Sequence, residues 1–367
     1  IYSIIIDISV VTGLLFYRNV ADSHTMFGTR VIMWIVAFFI LNTVPKFTYA
    51  VFSLGDSLRR RVTHKKSHIF SYIGLVMATF SASVIFYGMT FWRTDIRVEQ
   101  VELEFDNLPA SFDGLRIVQF SDNHLGTVSN RNKFLNRFVD KINGLNPDVI
   151  IHSGDLVNNH AWEFDQNAME VFKRMKSTYG VYSVLGNHDL GMYINDTVKY
   201  TPEENVRELE RRQRAVGWNV LTNESVFLSN GQDSITISGL NYPDGYQHNG
   251  HSSKMTGADI DATYGSIPDS LFNITISHAP QLWNDLLEAG KGDLTMAGHV
   301  HAFQLKVTLG KWRWSPAIYM YDHWSGLYEQ GGRYMYINDG AGCVMFQMRI
   351  GTKPELTLYT LRSKHKE

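Results

Sequence analysis

Hydrophobic positions divide the chain in two. Before residue 93 they run in blocks, at residues 1–17, 31–54 and 69–92, that are too apolar for a soluble domain. About 20 such residues cross a bilayer as a helix, so the second and third blocks predict transmembrane spans and the first a truncated one. From about residue 95 the pattern changes to alternating helix and strand signals. Within residues 130–143, Phe134, Leu135, Phe138, Val139 and Ile142 share one helical face, and Gly144 and Pro147 are stop signals. Residues 162–175 repeat the pattern, Thr201-Pro202-Glu203-Glu204 is a capping box that opens a helix towards Gly217, and residues 280–289 supply another before Gly290.

Between these helices the first strands are continuous apolar runs, as expected when both faces of a sheet are covered. The later segments, at 234–240, 302–308, 317–321, 333–337, 343–349 and 356–361, are strand-like with few helices between them, which predicts mixed or antiparallel pairing. Two sheets face to face with helices outside, an α/β sandwich, accommodate this order. Residues 241–266, polar and rich in glycine and histidine, are the longest irregular stretch and the best lid candidate.

The chemistry sits where apolar runs end. Ser121-Asp122-Asn123-His124, Gly154-Asp155, Gly186-Asn187-His188-Asp189, His278 and Gly298-His299-Val300-His301 each close one, directly or, for Gly154-Asp155, two residues on. Ligands gather at the carboxyl ends of strands in open α/β sheets, so these five turns are expected to share a pocket. Their inventory is Asp122, His124, Asp155, Asn187, His188, His278, His299 and His301, with oxygen and nitrogen donors and no thiolate. That suits manganese, iron or zinc. Eight donors exceed one tetrahedral ion and suit two ions about 3.5–4 Å apart that share a carboxylate. His152, His160, His248, His251 and His323 fall outside these turns and are read as ordinary surface or core histidines.

Asp-x-His, Gly-Asp, Gly-Asn-His-Asp, a later His and Gly-His-x-His, in this order, resemble the calcineurin-like metallophosphoesterases, most closely the bacterial membrane-associated members. The resemblance runs from about Leu115 to the end. It implies an αββα fold and two divalent metal ions. In those proteins the residues matching Asp122, His124 and His301 hold the first ion, Asp155 bridges, and Asn187, His278 and His299 hold the second. His188 would contact the scissile phosphate, with Asp189 as an orienting carboxylate. Relatives often continue Gly-His-x-His with Gly-Gly-Gln, where this chain has Ala302-Phe303-Gln304, and Asn338-Asp339-Gly340 also departs from the pattern. Neither departure is expected to touch a metal ligand, but both bear on the substrate.

The bulk numbers constrain the rest. In 367 residues, 44% are hydrophobic and 19% charged, and the net charge of -2 gives no expectation of nucleic acid as a partner. Cys343, the single cysteine, lies in a strand-like run and reads as core. There is no initiator methionine and the sequence begins inside an apolar block, so the natural amino terminus is expected to be missing. Residues 56–68 carry Arg59, Arg60, Arg61, Lys65 and Lys66, against Arg18 and Arg30 in the preceding connection. The positive-inside rule then makes that loop cytoplasmic and the domain after residue 94 extracytoplasmic, on a multi-pass protein of the cytoplasmic membrane. Asp7 and Lys46 lie at membrane depth and either pair with each other or sit near helix ends.

The expected protein thus has transmembrane helices over residues 1–94 and a metallophosphoesterase domain over 95–367. Its expected activity is phosphoester or pyrophosphate hydrolysis through a metal-bridging hydroxide, on a phosphorylated small molecule or a lipid-linked substrate. The aromatic stretch Trp312, Trp314, Tyr319, Tyr321 and Trp324 either meets acyl chains or packs as a hairpin. The alternatives are a broad phosphomonoesterase or nucleotide phosphodiesterase, and a catalytically silent membrane sensor or scaffold.

Overall fold

The computed structural model describes residues 12, 25–128, 131–193, 201–242 and 257–364. The block at 1–17, residue 12 apart, and the proposed partner Asp7 lie outside the described residues. The chain enters as two long helices, α1 (Met26–Thr63) and α2 (Ile69–Thr90). Both are long and apolar enough to cross a membrane. With 38 residues, α1 is about 57 Å long, well beyond the roughly 30 Å hydrocarbon layer, and it runs unbroken past Pro45. Asp56 near its end closes the helical pair, accepting the N–H groups of Phe70 at 3.3 Å and Ser71 at 2.7 Å and so capping the start of α2.

The rest is a four-layer sandwich. Its elements are β1 (Arg97–Phe105), β2 (Arg116–Phe120), α3 (Arg131–Gly144), β3 (Val149–Ser153), α4 (Gln166–Phe172), β4 (Val181–Val184), α5 (Pro202–Ala215), β5 (Trp218–Val220), β6 (Glu224–Ser229), β7 (Ser234–Leu240), α6 (Ile260–Tyr264), β8 (Asn273–Ser277), α7 (Leu282–Glu288), β9 (Leu294–Ala297), β10 (Val307–Leu309), β11 (Trp312–Trp314), β12 (Gly326–Gln330), β13 (Arg333–Ile337) and β14 (Glu355–Ser363). One sheet has the order β1-β14-β2-β3-β4-β5 and the other β12-β13-β9-β8-β7-β6. Strands β2, β3 and β4 are parallel, as are β7, β8, β9 and β13, so their carboxyl ends lie together.

Alternation along each strand builds the layers. Ile117, Val149, Ile151 and Val184 point inward to meet Ile237, Ile274, Ile276 and Met296 of the opposite sheet. Val118, Phe120 and Ile150 point outward against Phe138, Phe164 and Phe172. Both faces are apolar, which is why these strands carry no polar alternation. Beneath the strand ends, the Gln119 amide ties the sheets together, donating to Ser153 Oγ and to the Ala297 carbonyl, each at 2.8 Å.

Several expected elements differ. The helix foreseen over 162–175 is only Gln166–Phe172, preceded by a short 3-10 turn at Ala161–Glu163. Segments 302–308 and 317–321 are largely 3-10 turns, His301–Gln304 and Pro316–Tyr319, and 343–349 forms no strand. Their apolar residues pack into side clusters rather than into a sheet, which period-2 reading does not separate from strand burial. Of the lid candidate, residues 243–256 lie outside the described residues, and Ile260–Tyr264 is a helix seated on Leu282 and Leu286.

Candidate metal centre

The five turns meet at the carboxyl ends of β2, β3, β4, β8 and β9, and their backbone is unusual. Asp122 (φ 52°), His124 (φ 43°), Asp155 (φ 59°), His299 (φ 74°) and His301 (φ 54°) are all left-handed. That conformation costs a residue with a Cβ about 1–2 kcal/mol and persists where the surroundings dictate it. Here the turns fix each other: the Asp122 N–H donates to the Gly154 carbonyl at 2.9 Å, His124 to Asp155 at 3.2 Å and Gly298 to His278 at 3.2 Å. Gly186 is obligatory for space, because a Cβ there would overlap Asp155 Oδ1.

Three overlapping donor groups result, Asp122 with His124 and His301, Asp155 with His278 and His299, and Asp155 with His124 and His188 between them. In the first, His301 Nε2 lies 3.1 Å and His124 Nε2 4.0 Å from Asp122 Oδ1, and the two imidazole nitrogens face each other at 3.1 Å. In the second, His278 Nε2 is 3.1 Å from Asp155 Oδ2, and Asn187 Oδ1 meets His299 Nδ1 at 2.9 Å. The clusters adjoin, since His124 Nε2 is 3.9 Å from Asp155 Oδ2 and His278 Nε2 4.0 Å from Asp122 Oδ1. All seven predicted ligands are therefore brought together.

The electrostatics fit divalent cations. Burial works against the charge of Asp122 and Asp155, yet the facing histidines hold both carboxylates well below their usual range. Burial keeps His124 and His299 neutral, the latter pushed down to about 3, so their nitrogens are free to donate lone pairs. Burial opposes a charge on His278 too, but Asp155 and Asp122 push it up to about 9. Two fully buried carboxylates ringed by imidazole lone pairs, all oxygen and nitrogen, suit hard or borderline ions.

His188 and Asp189 part company. His188 donates its backbone N–H to Asp155 Oδ1 at 2.9 Å, and its Nδ1 meets the Asn158 carbonyl at 2.5 Å. Asp189, expected to orient that ring, turns the other way. Its carboxylate accepts the N–H groups of Val157 and Gly186, both at 3.0 Å, bracing two of the turns. Burial and the nearby Asp155 push it up to about 7. The ring is instead positioned by the 158–160 loop, which Glu163 holds by accepting N–H groups from Gly126, Asn158, Asn159 and His160 at 2.6–3.2 Å.

The family model for calcineurin-like phosphoesterases matches residues 115–303, just over half of the chain. The chain belongs to this family. A Bacillus subtilis protein named uncharacterized metallophosphoesterase YkuE is 27% identical over 285 residues, covering 76% of this chain and 90% of that protein. A Danio rerio protein named transmembrane protein with metallophosphoesterase domain is 29% identical over 288 residues, covering 77% of this chain and 61% of its own length. A Helicobacter pylori metallophosphoesterase, also named uncharacterized, is 25% identical over 364 residues, 95% of this chain and 86% of that protein.

Two local departures of this metallophosphoesterase now have a physical form. Ala302, Phe303 and Gln304 are left-handed at φ 46°, 49° and 56°, a path that glycine follows without strain. Gln304 repays it by clamping Val344, whose carbonyl it meets at 2.9 Å and whose N–H it accepts at 2.6 Å. The Asn338-Asp339-Gly340 turn was expected to stand clear of the ligands, but a Cβ on Gly340 would lie 2.8 Å from Asp122 Cβ and 2.9 Å from His301 Nδ1.

Sequence reading missed the outer supports. Tyr193 Oη accepts from the Asn187 amide at 3.0 Å, the Ser153 carbonyl meets His278 Nδ1 at 2.7 Å, and Tyr321 Oη lies 3.4 Å from His299 Nε2. Asn158, three residues beyond Asp155 at the end of an apolar pair, was the one support with a local signal. His152 is core, packed between Phe120 and Trp218 and pushed down to about 3 by burial. His160, stacked on Trp162, lines the cavity above the site. His248 and His251 lie outside the described residues.

Proposed function

We propose that the chain is a membrane-anchored phosphohydrolase that cleaves a phosphoester or pyrophosphate with two divalent cations, manganese, iron or zinc. The observation that carries this reading is the set of overlapping donor groups, two of which share Asp155. Asp122, His124 and His301 would hold one cation, Asn187, His278 and His299 the other, and Asp155 both. Bound there, two such cations would supply charge neutralisation for a phosphoryl group and acidify a water.

The chain's own residues do the rest. The Asn158 carbonyl can only accept, so the proton on His188 Nδ1 stays in place and Nε2 is the atom that exchanges a proton with the leaving oxygen. Burial holds His188 below its ordinary value, against the pull of Asp155 and of the Asn158 carbonyl. Asp189 and Glu163 act through the backbone they hold.

The test is metal analysis of the purified full chain together with turnover of bis-p-nitrophenyl phosphate. Two bound ions and a turnover lost to chelator and restored by manganese are expected. A fully loaded but inert protein would overturn hydrolysis and leave a sensor or scaffold.

In this reading residues 1–94 form the membrane region and 95–367 the catalytic unit. The five basic residues, Arg59–Arg61 in the last turns of α1 and Lys65–Lys66 between α1 and α2, support a cytoplasmic turn and an extracytoplasmic domain. An alkaline phosphatase fused after Glu367 should be active in a bacterial host. A bright fluorescent-protein fusion at the same position with an inactive phosphatase fusion would reverse the orientation.

A further inference from the structure

The cavity over the metal centre does not stop at the catalytic unit. It encloses about 1090 Å³, at the upper limit of a small-molecule site, and reaches from His188 and His299 to Met33, Ile40 and Val44 of α1, with Phe346 also in its lining. Met33, Ile40 and Val44 follow helical spacing along one face, and between the first and last the helix rises about 16 Å. One end of this space is polar and metal-binding, while the other is hydrocarbon and opens on a helix long and apolar enough to lie in a bilayer.

We infer that the substrate is an amphiphile, a phosphoester or pyrophosphate carrying a long hydrocarbon chain, with that chain along the Met33–Val44 stripe and its phosphate beside His188 and His299. The inference rests on the hydrolase reading above. Three observations favour a lipid chain over other occupants. The trough is continuous with the site of chemistry, so whatever fills it touches the reacting group. Its far end reaches Val44 on α1, which is 39% exposed. An apolar trough of this length gains stability from every methylene it removes from water, whereas a short polar phosphoester would leave it unfilled.

The experiment uses the full chain in nanodiscs with a hexadecyl phosphonate that carries a photoreactive group at the chain end, and a hexadecanol of the same design as control. Phosphonate-dependent labelling of α1 around Ile40 and Val44 is expected. In parallel, kcat/KM for a hexadecyl phosphoester should exceed that for the methyl ester by about a hundredfold or more. Ile40→Trp, which fills the trough, should shrink that ratio by at least about tenfold and reduce the labelling. Hydrolysis of both esters without chain-length preference, or labelling equal to that by hexadecanol, overturns the inference and leaves the hydrolase reading intact. A trough occupied by the chain's own residues 1–24 gives this second result. An inert protein overturns both readings.

Discussion

The turns at the strand ends and the segment at residues 343–350 both line one cavity, yet they are held in opposite ways. The turns are fixed by left-handed backbone, cross-turn hydrogen bonds and mostly buried side chains, all within the sandwich. The 343–350 segment lies in no strand and meets the sandwich at a single bridge, Ile350 with Leu305, and at the Gln304 clamp on Val344. It rests on the helices through Met348 against Ala37, Ile85 and Met89, with the Arg349 N–H on the Gly88 carbonyl at 3.3 Å. The difference teaches that chemistry and membrane coupling are separable here: one is local to the strand ends, the other a contact between layers.

The largest test of that separation is Asp155→Asn. A neutral amide cannot balance two cations, so hydrolysis should fall by more than about 10³-fold, beyond the loss of one charge-stabilising donor, and one or both ions should be lost. The contact between helices and sandwich should survive. Elemental analysis and turnover of the purified variant check the first half and hydrogen exchange at residues 343–350 the second; full metal content with unaltered turnover would falsify the bridging assignment.

Next, His188→Ala should lower turnover by about 10²–10⁴-fold with the ions retained, and less for esters with good leaving groups, which need less protonation. Metal loss as large as that of Asp155→Asn would make His188 a ligand instead. Gly186→Ala should act more mildly, weakening metal affinity by about 10–100-fold, because its methyl pushes on the Asp155 carboxylate rather than removing it. A metal titration that superimposes on that of the parent chain would show that the turn yields and that its tightness does not matter.

The same contrast explains what the sequence could tell. Asp122, His124, Asp155, Asn187, His188, His278, His299 and His301 each stand at the close of an apolar run, so their gathering follows from sheet topology alone. The capping box at Thr201 was equally local, and the helix it opens is present. Asp189 was misjudged because its partners, the N–H groups of Val157 and Gly186, are defined only once β3 and β4 are paired. Residues 302–308 and 343–349 read as strands because they are apolar, but their burial comes from side clusters and from α1 and α2. Nor could pattern foresee that β14 inserts between β1 and β2, parallel to one and antiparallel to the other.

The smallest effect on turnover should come from the docking segment. Gln347 is buried, and its amide donates to the Thr127 carbonyl at 2.6 Å while its backbone N–H meets the Met33 carbonyl at 3.4 Å. Gln347→Ala removes the first bond and leaves a carbonyl without its donor, at a cost of about 1–3 kcal/mol. The Thr127 N–H and hydroxyl keep their own bonds to the His124 carbonyl, each at 2.8 Å, so turnover of bis-p-nitrophenyl phosphate should stay within about twofold, a change worth less than roughly 0.5 kcal/mol. Amide exchange across residues 343–350 should instead accelerate, because a segment that lies in no strand opens as a unit once its anchor is gone. If exchange stays slow while turnover drops by tenfold or more, the two regions are one mechanical element and the separation argued from their construction is wrong.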